Sequence, residues 1–173
     1  MEMITVITII IILAGITVAG FGFINDRQAN AKAQVDIELL AVALEKYKLD
    51  YGEYPGFDEN TPVVGDISEE LYEALFYDGW NYKTNDVGEE TEIYLKELDP
   101  RNSKQSWVAK TNANIPPADL KITDPWGRPY RYRKGDNAQN PDFDLWSLGK
   151  DGNSNFANPD KTDPLNKDDI RNF

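Results

Sequence analysis

The chain has no cysteine and no histidine among its 173 residues. Without cysteine no disulfide can brace a domain and no thiolate can hold a metal. Without histidine the commonest general base is gone, and with it Ser-His-Asp triads, HExxH zinc sites and most transition-metal sites. Positive charge is scarce as well. Eighteen Lys and Arg stand against 30 Asp and Glu, a formal charge of −12. So acidic a chain repels nucleic-acid phosphates and anionic lipid headgroups. No basic stripe offsets this, and nucleic acid is excluded as a partner. Charge of either sign is missing altogether from Met3 to Ile24, behind a lone Glu2.

That uncharged stretch is the first positive feature. An apolar helix needs about 20 residues to cross the hydrocarbon core, and Ile4 to Ile24 fits. The segment is apolar all round rather than striped, which suits lipid or a packed bundle and not the surface of a globular domain. The run Ile9-Ile10-Ile11-Ile12 favours a strand in water. In lipid the backbone must close its hydrogen bonds within the segment, so the expectation is a helix. A cleaved signal would carry a basic front and a small-residue cleavage site, and this front has Glu2 instead. Gly15, Gly20 and Gly22 fit either close helix packing in a membrane or a stretch able to loosen.

No Gly or Pro follows until Gly52. Ile37, Leu40, Leu44, Tyr47 and Tyr51 recur at spacings of three and four, one face of a helix. Lys32, Glu38, Glu45 and Lys48 mark the opposite face. Gly52, with Pro55 just beyond, predicts the stop. The remaining chain suffices for one modest domain. In it, Ser68 ahead of Glu69 and Glu70 predicts a short capped helix ending at Gly79. "TEIYLKELDP" reads as a short helix or an edge strand, and the stretch through Pro116-Pro117 as loop. Tyr130 to Arg133 and Phe143 to Leu148 predict an antiparallel hairpin lying on the helix stripe. Trp126 and Trp146 read as core and loop anchors.

The tail from Leu148 to Asp169 is rich in Asp and Asn and has few apolar residues. By composition it is a solvated loop. Asp151-Gly152-Asn153-Ser154-Asn155 starts like an EF-hand, but Phe156 stands where that loop needs Gly and the closing Glu is missing. Hard oxygen ligands spread over a long loop still suit Ca²⁺, with its six to eight oxygens in flexible geometry.

An apolar helix with Glu at its tip, running into an amphipathic helix that ends "ALEKYKLDYGEYP", resembles the type IV pilin superfamily. "DPWGRPYRY" from Asp124, "FDLWSLGKDG" from Phe143 and the tail "KDDIRNF" are similar to the "DPWGNPY", "SLGADG" and "ADI..W" blocks of the major pseudopilins of type II secretion. The resemblance implies an α+β, type IV pilin-like fold, with a long N-terminal helix packed on a small antiparallel sheet head and a C-terminal loop. It divides the chain into a filament-core helix at 1–24, an amphipathic helix at 25–52, a variable region at 53–123, and a hairpin with a calcium loop at 124–173.

The resemblance also implies a function: a structural, non-enzymatic subunit of a pseudopilus. Such a subunit is anchored by one pass in the bacterial inner membrane with its head in the periplasm. It polymerises with itself, beside minor pseudopilins, an inner-membrane assembly platform and a prepilin peptidase. Glu2 would match the Glu behind the peptidase cut, pairing with the methylated N-terminal amine of a neighbouring subunit. On that match a leader and the first processed residues precede Met1. A Ca²⁺ would sit in the tail loop on Asp151 and Asp169, the Leu148 carbonyl and Asp168, with Asp160 and Asp163 as competitors. The family's helix proline and an earlier glycine are absent, falling near Ala19 and Ile11. The alternatives are a pilin of an extracellular adhesion or motility filament, and a membrane-anchored glycosidase using Asp142 and Asp144.

Overall fold

The computed structural model describes residues 2–56, 67–80, 92–101, 104–135, 138–155 and 162–173, and within the first helix it leaves out the side chains of residues 2 and 16–24. Helix α1 runs Glu2–Tyr51. At 1.5 Å per residue it is about 75 Å long. It ends where the sequence predicts. The Gly52 N–H donates to the Lys48 carbonyl at 2.8 Å, and Gly52 takes φ +82°, the left-handed stop that glycine adopts without a Cβ clash.

The two halves of α1 have different surroundings. From Met3 to Leu13 every large apolar side chain is at least 52% exposed in the single chain. Thr8 donates its hydroxyl to the Ile4 carbonyl at 2.8 Å, so even the polar side chain there is satisfied within the helix. Among the described residues no helix is long and apolar enough to cross a membrane. The predicted span runs through residues 16–24, whose side chains lie outside that set. The back half is striped. Ala33, Asp36, Ile37, Leu40, Ala43 and Leu44 are buried against the head.

Two details of the expected stripe differ. Tyr51 is 49% exposed, stacked on Tyr47 rather than inserted. Lys32 and Lys48, expected on the solvent face, both find partners: Lys32 lies over the Trp107 ring of the head, 5.9 Å from its centroid, and Lys48 reaches the chain beyond the helix. Lys32 meets Asp36 at 3.0 Å, and Lys48 meets the Tyr54 hydroxyl at 3.1 Å and Asp142 at 3.2 Å. Long side chains snorkel in this way, covering apolar surface while the ammonium finds a partner.

Helix α2, Ser68–Tyr72, passes into a π-helical turn at Glu73–Tyr77. Ser68 does not cap it. Ser68 lies inside the first turn and is buried, donating its hydroxyl to the Ile122 carbonyl at 2.5 Å, while Ile67 holds the cap position without a side-chain bond. The tertiary bond to Ile122 prevails over the local cap. Gly79 is needed for contact, since a Cβ there would meet the Glu92 carbonyl at 2.5 Å. The "YLKEL" stretch is a 3₁₀ turn at Lys96–Leu98, the helical alternative of the two read from sequence.

The sheet has strands β1 (Arg131–Lys134), β2 (Phe143–Ser147) and β3 (Ile170–Arg171), antiparallel in the order β1-β2-β3. The predicted hairpin is present, with Tyr132 opposite Leu145 and Arg131 opposite Trp146. The third strand is an addition that sequence reading left inside the loop. Contacts of the adjoining Asn172 with β2 help to hold it. The Asn172 side-chain oxygen accepts from the Leu145 N–H at 2.7 Å, and the Asn172 N–H donates to the Leu145 carbonyl at 3.1 Å. Between helix and sheet lies one core of Leu40, Leu44, Leu71, Leu75, Trp107, Tyr130, Tyr132 and Leu145. Trp146 is buried as expected and Trp126 is half-buried, but the largest fully buried side chain is Trp107, in the stretch read as loop.

Candidate assembly and cation sites

The tail is tied to the "DPWGRPY" turn by a buried polar network. Asp124 is 3% exposed. Its Oδ1 accepts from the N–H groups of Trp126 at 3.0 Å and Arg128 at 2.9 Å, an Asx-type turn that fixes the loop. Its Oδ2 accepts from the Ser147 hydroxyl at 2.6 Å, and the Ser147 oxygen accepts from the Gly149 N–H at 3.1 Å. Arg128 reaches across to donate to the carbonyls of Gly149 at 2.7 Å and Lys150 at 3.1 Å. The glycines of "SLGKDG" follow from this. Gly149 and Gly152 have φ +62° and +74°, and a Cβ at either would collide, with Asp168 in the first case and with the Arg128 guanidinium in the second. Lys150 then extends to Asp26 of α1, Nζ to Oδ2 2.6 Å, just beyond the apolar run.

The expected cation ligands are partly assembled around this turn. The Leu148 carbonyl accepts from the Gly152 N–H at 3.2 Å. Asp168 Oδ2 accepts from the Asp151 N–H at 2.9 Å, and Asp151 Oδ1 from the Asn153 N–H at 2.7 Å. Asp169 Oδ2 accepts from the Ser154 hydroxyl at 2.7 Å, but its Oδ1 is buried with no hydrogen-bond partner among the described residues. Burial pushes the Asp169 carboxyl up to about 6, and the negative charges of Asp168 and Asp151 add to the rise against the lowering by Ser154 and Arg171. Among the described residues no group of three or more such side chains could hold a metal ion. What the site does offer is one buried carboxylate oxygen of Asp169 that no donor among the described residues reaches.

Asp163 is drawn off to other work. Its Oδ1 accepts from the Leu165 N–H at 3.0 Å and its Oδ2 from the Asn155 amide at 2.8 Å. Asp160 lies outside the described residues, as does the Glu2 side chain. Asn166 and Ser154 were not singled out by sequence reading. Asn166 is 1% exposed and accepts from the Asn155 N–H at 2.6 Å, so it organises the loop from within. Its only advance signal is position in an Asn-rich stretch.

The two hairpin carboxylates that suggested hydrolysis have separate jobs. Asp144 is fully buried and saturated, by the Arg133 Nε at 2.7 Å and by the N–H groups of Gln139 and Asn140, both at 2.9 Å. Asp142 is exposed and paired with Lys48. The pair holds the hairpin loop and the helix end.

The family model described as "Type II secretion system (T2SS), protein G" matches residues 91–163. No curated protein and no solved structure matches the chain significantly. The match covers less than half of the chain. It takes in the "DPWGRPY" and "SLGKDG" blocks and reaches back into the region read as variable, but it leaves out α1 and the "KDDIRNF" tail. It supports a relationship to the pseudopilins of type II secretion, structural components of a secretion machine. The α+β architecture, with one long helix against a three-stranded antiparallel sheet, is compatible with a pilin-like fold.

Proposed function

We propose that this chain is a structural subunit of a type II secretion pseudopilus. It is anchored through the front of α1 and assembles with copies of itself into a helical filament. The observation that carries the reading is the division of α1. One continuous helix presents an apolar, uncovered front and buries its back half in a head whose sequence matches the secretion family. Exposed apolar surface on this scale needs lipid or protein to cover it. A helix able to pass from lipid into a bundle of like helices satisfies both conditions.

Glu2 is assigned to assembly. A carboxylate at the tip of an apolar helix is costly unless paired, and a neighbour's terminal amine would pair it. Glu2→Leu in the full-length chain, expressed in its native host, should leave the head folded and abolish or sharply reduce filaments seen by electron microscopy. Normal filaments at normal yield would remove Glu2 from the mechanism.

A Ca²⁺ in the tail is the second part of the proposal, held by Asp169 and Asp151 with Asp168 and the Leu148 carbonyl. It would supply the positive partner that the buried Asp169 Oδ1 lacks among the described residues. Binding to the folded state alone stabilises by about 2.7 kcal/mol at a hundredfold excess over Kd. Chelation should lower the melting temperature and expose the loop to protease, with Asp151→Ala reproducing the loss. Mg²⁺ should substitute poorly, because it demands a tight octahedron. Identical melting with EGTA and with added Ca²⁺ would leave the loop held by Arg128 and Asp124 alone.

A further inference from the structure

The turn that follows β2 is supplied with a positive charge from the chain itself. Arg128 donates from Nη1 to the Gly149 carbonyl at 2.7 Å and from Nη2 to the Lys150 carbonyl at 3.1 Å. Two successive carbonyls thus converge on one cation. Backbone carbonyls also serve as ligands to Ca²⁺. Bonds from a guanidinium are charge-assisted, and its planar fork serves two acceptors at once. The surroundings are built for it. Asp124 Oδ1 accepts from the Arg128 N–H at 2.9 Å, while Asp124 Oδ2 accepts from the Ser147 hydroxyl at 2.6 Å. One buried carboxylate therefore fixes both the base of the arginine and the entry to the turn. Gly152 lets the guanidinium lie against the backbone, because a Cβ there would collide with it. The Lys150 ammonium goes elsewhere, to Asp26 of α1.

We infer that the Arg128 guanidinium is a built-in cation that holds the turn at residues 148–152 in shape without a metal, and so positions the groups assigned above to Ca²⁺. The second half of this inference rests on the calcium reading; the first half does not. Arg128 bonds to the two residues that lie between the expected ligands Leu148 and Asp151, so it acts on the site through the backbone and is a positioning residue. The turn it holds fixes the Leu148 carbonyl, which accepts from the Gly152 N–H at 3.2 Å. It also aims the Asp151 N–H at Asp168 Oδ2, 2.9 Å away, so Asp151 and Asp168 are set against each other before any cation arrives. Two effects of Arg128 on the ion have opposite signs. A fixed positive charge near the site repels a cation. Preorganisation favours it, since a site whose competent state is only partly populated binds more weakly by that fraction. The direction in which affinity moves when Arg128 is removed separates the two.

Trypsin reads the turn directly, because its cut after the exposed Lys150 needs the carbonyl that Arg128 holds. A cut after Lys167, also exposed, reads the rest of the tail. The full-length chain in mild detergent is digested briefly in EGTA and in graded Ca²⁺, and the fragments are assigned by mass. In EGTA the wild type should resist cutting after Lys150 even where Lys167 is cut. Arg128→Ala should be cut after Lys150 at least about tenfold faster, because local opening becomes easier. It should also need severalfold more Ca²⁺ for half-protection at Lys167. Arg128→Lys keeps the charge without the fork and should fall between the two. It carries the test if circular dichroism shows that the alanine variant does not fold. Equal cutting after Lys150 in the wild type and both variants under EGTA overturns the inference. Half-protection of Arg128→Ala at less Ca²⁺ than the wild type also overturns it, and makes the arginine a charge that merely repels the ion. Rapid cutting of the wild type after Lys150 in EGTA, stopped by Ca²⁺, gives the turn to the metal: the inference falls and the calcium reading stands. No effect of Ca²⁺ at either lysine removes the calcium reading, and the Lys150 comparison in EGTA then decides the hold of Arg128 on the turn.

Discussion

The front and back halves of α1 are built from one unbroken helix, yet they are held in place by different physics. The front, from Met3 to Leu13, leaves its large apolar side chains at least half exposed in the single chain. Its helix owes nothing to the head. The back is amphipathic, with Ala33 and Ala43 allowing close approach and Leu40 and Leu44 filling the space between helix and sheet. Truncation in the two halves should therefore be read out in different experiments. A front-half side chain matters to whatever covers it, and a back-half side chain matters to the fold.

The largest expected effect tests that division directly. Leu44 is fully buried in the head core. Leu→Ala at such a site costs about 2–5 kcal/mol, from lost transfer energy and the cavity left behind. Leu44→Ala in the detergent-solubilised chain should lower the head's unfolding free energy by that amount and shift its denaturation midpoint down accordingly. Ile10→Ala, 59% exposed in the single chain, should leave the midpoint unchanged. Equal losses from both, followed by chemical denaturation, would break the comparison.

How much of this was legible in the sequence depends on range. The helix and its stop at Gly52 were readable, because periodicity and a positive-φ glycine are local signals. The hairpin was readable for the same reason, from two β-rich runs around a polar loop. The misreadings are all long-range. Ser68 looked like a cap because its local context fits one, but a carbonyl 54 residues away claims its hydroxyl. The stretch around Trp107 is the loop that was expected, yet its Trp107 is the largest fully buried side chain among the described residues. Strand β3 is only two residues long and depends on Asn172 side-chain contacts rather than pattern. In the tail, sequence named carboxylates but missed Arg128. No motif shows that a guanidinium in one block will bind two carbonyls in another.

A smaller effect bears on where the back half ends. Gly52 holds φ +82°, and a Cβ there meets no atom within 4 Å, so space is not the obstacle. The cost of Gly52→Ala is backbone strain alone, about 1–2 kcal/mol. The unfolding free energy should fall by that much, moving the midpoint down, with no change in filament yield. A neutral result would mean that the turn after Tyr51 relaxes freely, and that the contacts of Tyr54 with Glu45 and Lys48, rather than the glycine, set the end of the helix.

The smallest effect concerns the buried charge under the back half. Asp36 is 1% exposed. It accepts from Lys32 at 3.0 Å and from the Tyr130 hydroxyl at 3.2 Å. Burial raises its carboxyl above the ordinary range, against the lowering by Lys32 and Tyr130, and the nearby Asp124 raises it further. The folded chain thus keeps a proton on Asp36 at a pH where the unfolded chain has released it. Stability linked to this group is complete below about pH 4 and is lost as the pH rises through the folded value. Asp36→Asn keeps an acceptor for Tyr130 and removes the titration. In urea titrations across that range the variant should lose less stability on going from acid to neutral pH than the wild type does. Parallel pH curves for the two proteins would show that Lys32 fully compensates the buried carboxylate. In that case the ion pair lies settled within α1, and the Tyr130 hydroxyl is what ties the buried Asp36 carboxylate to the head.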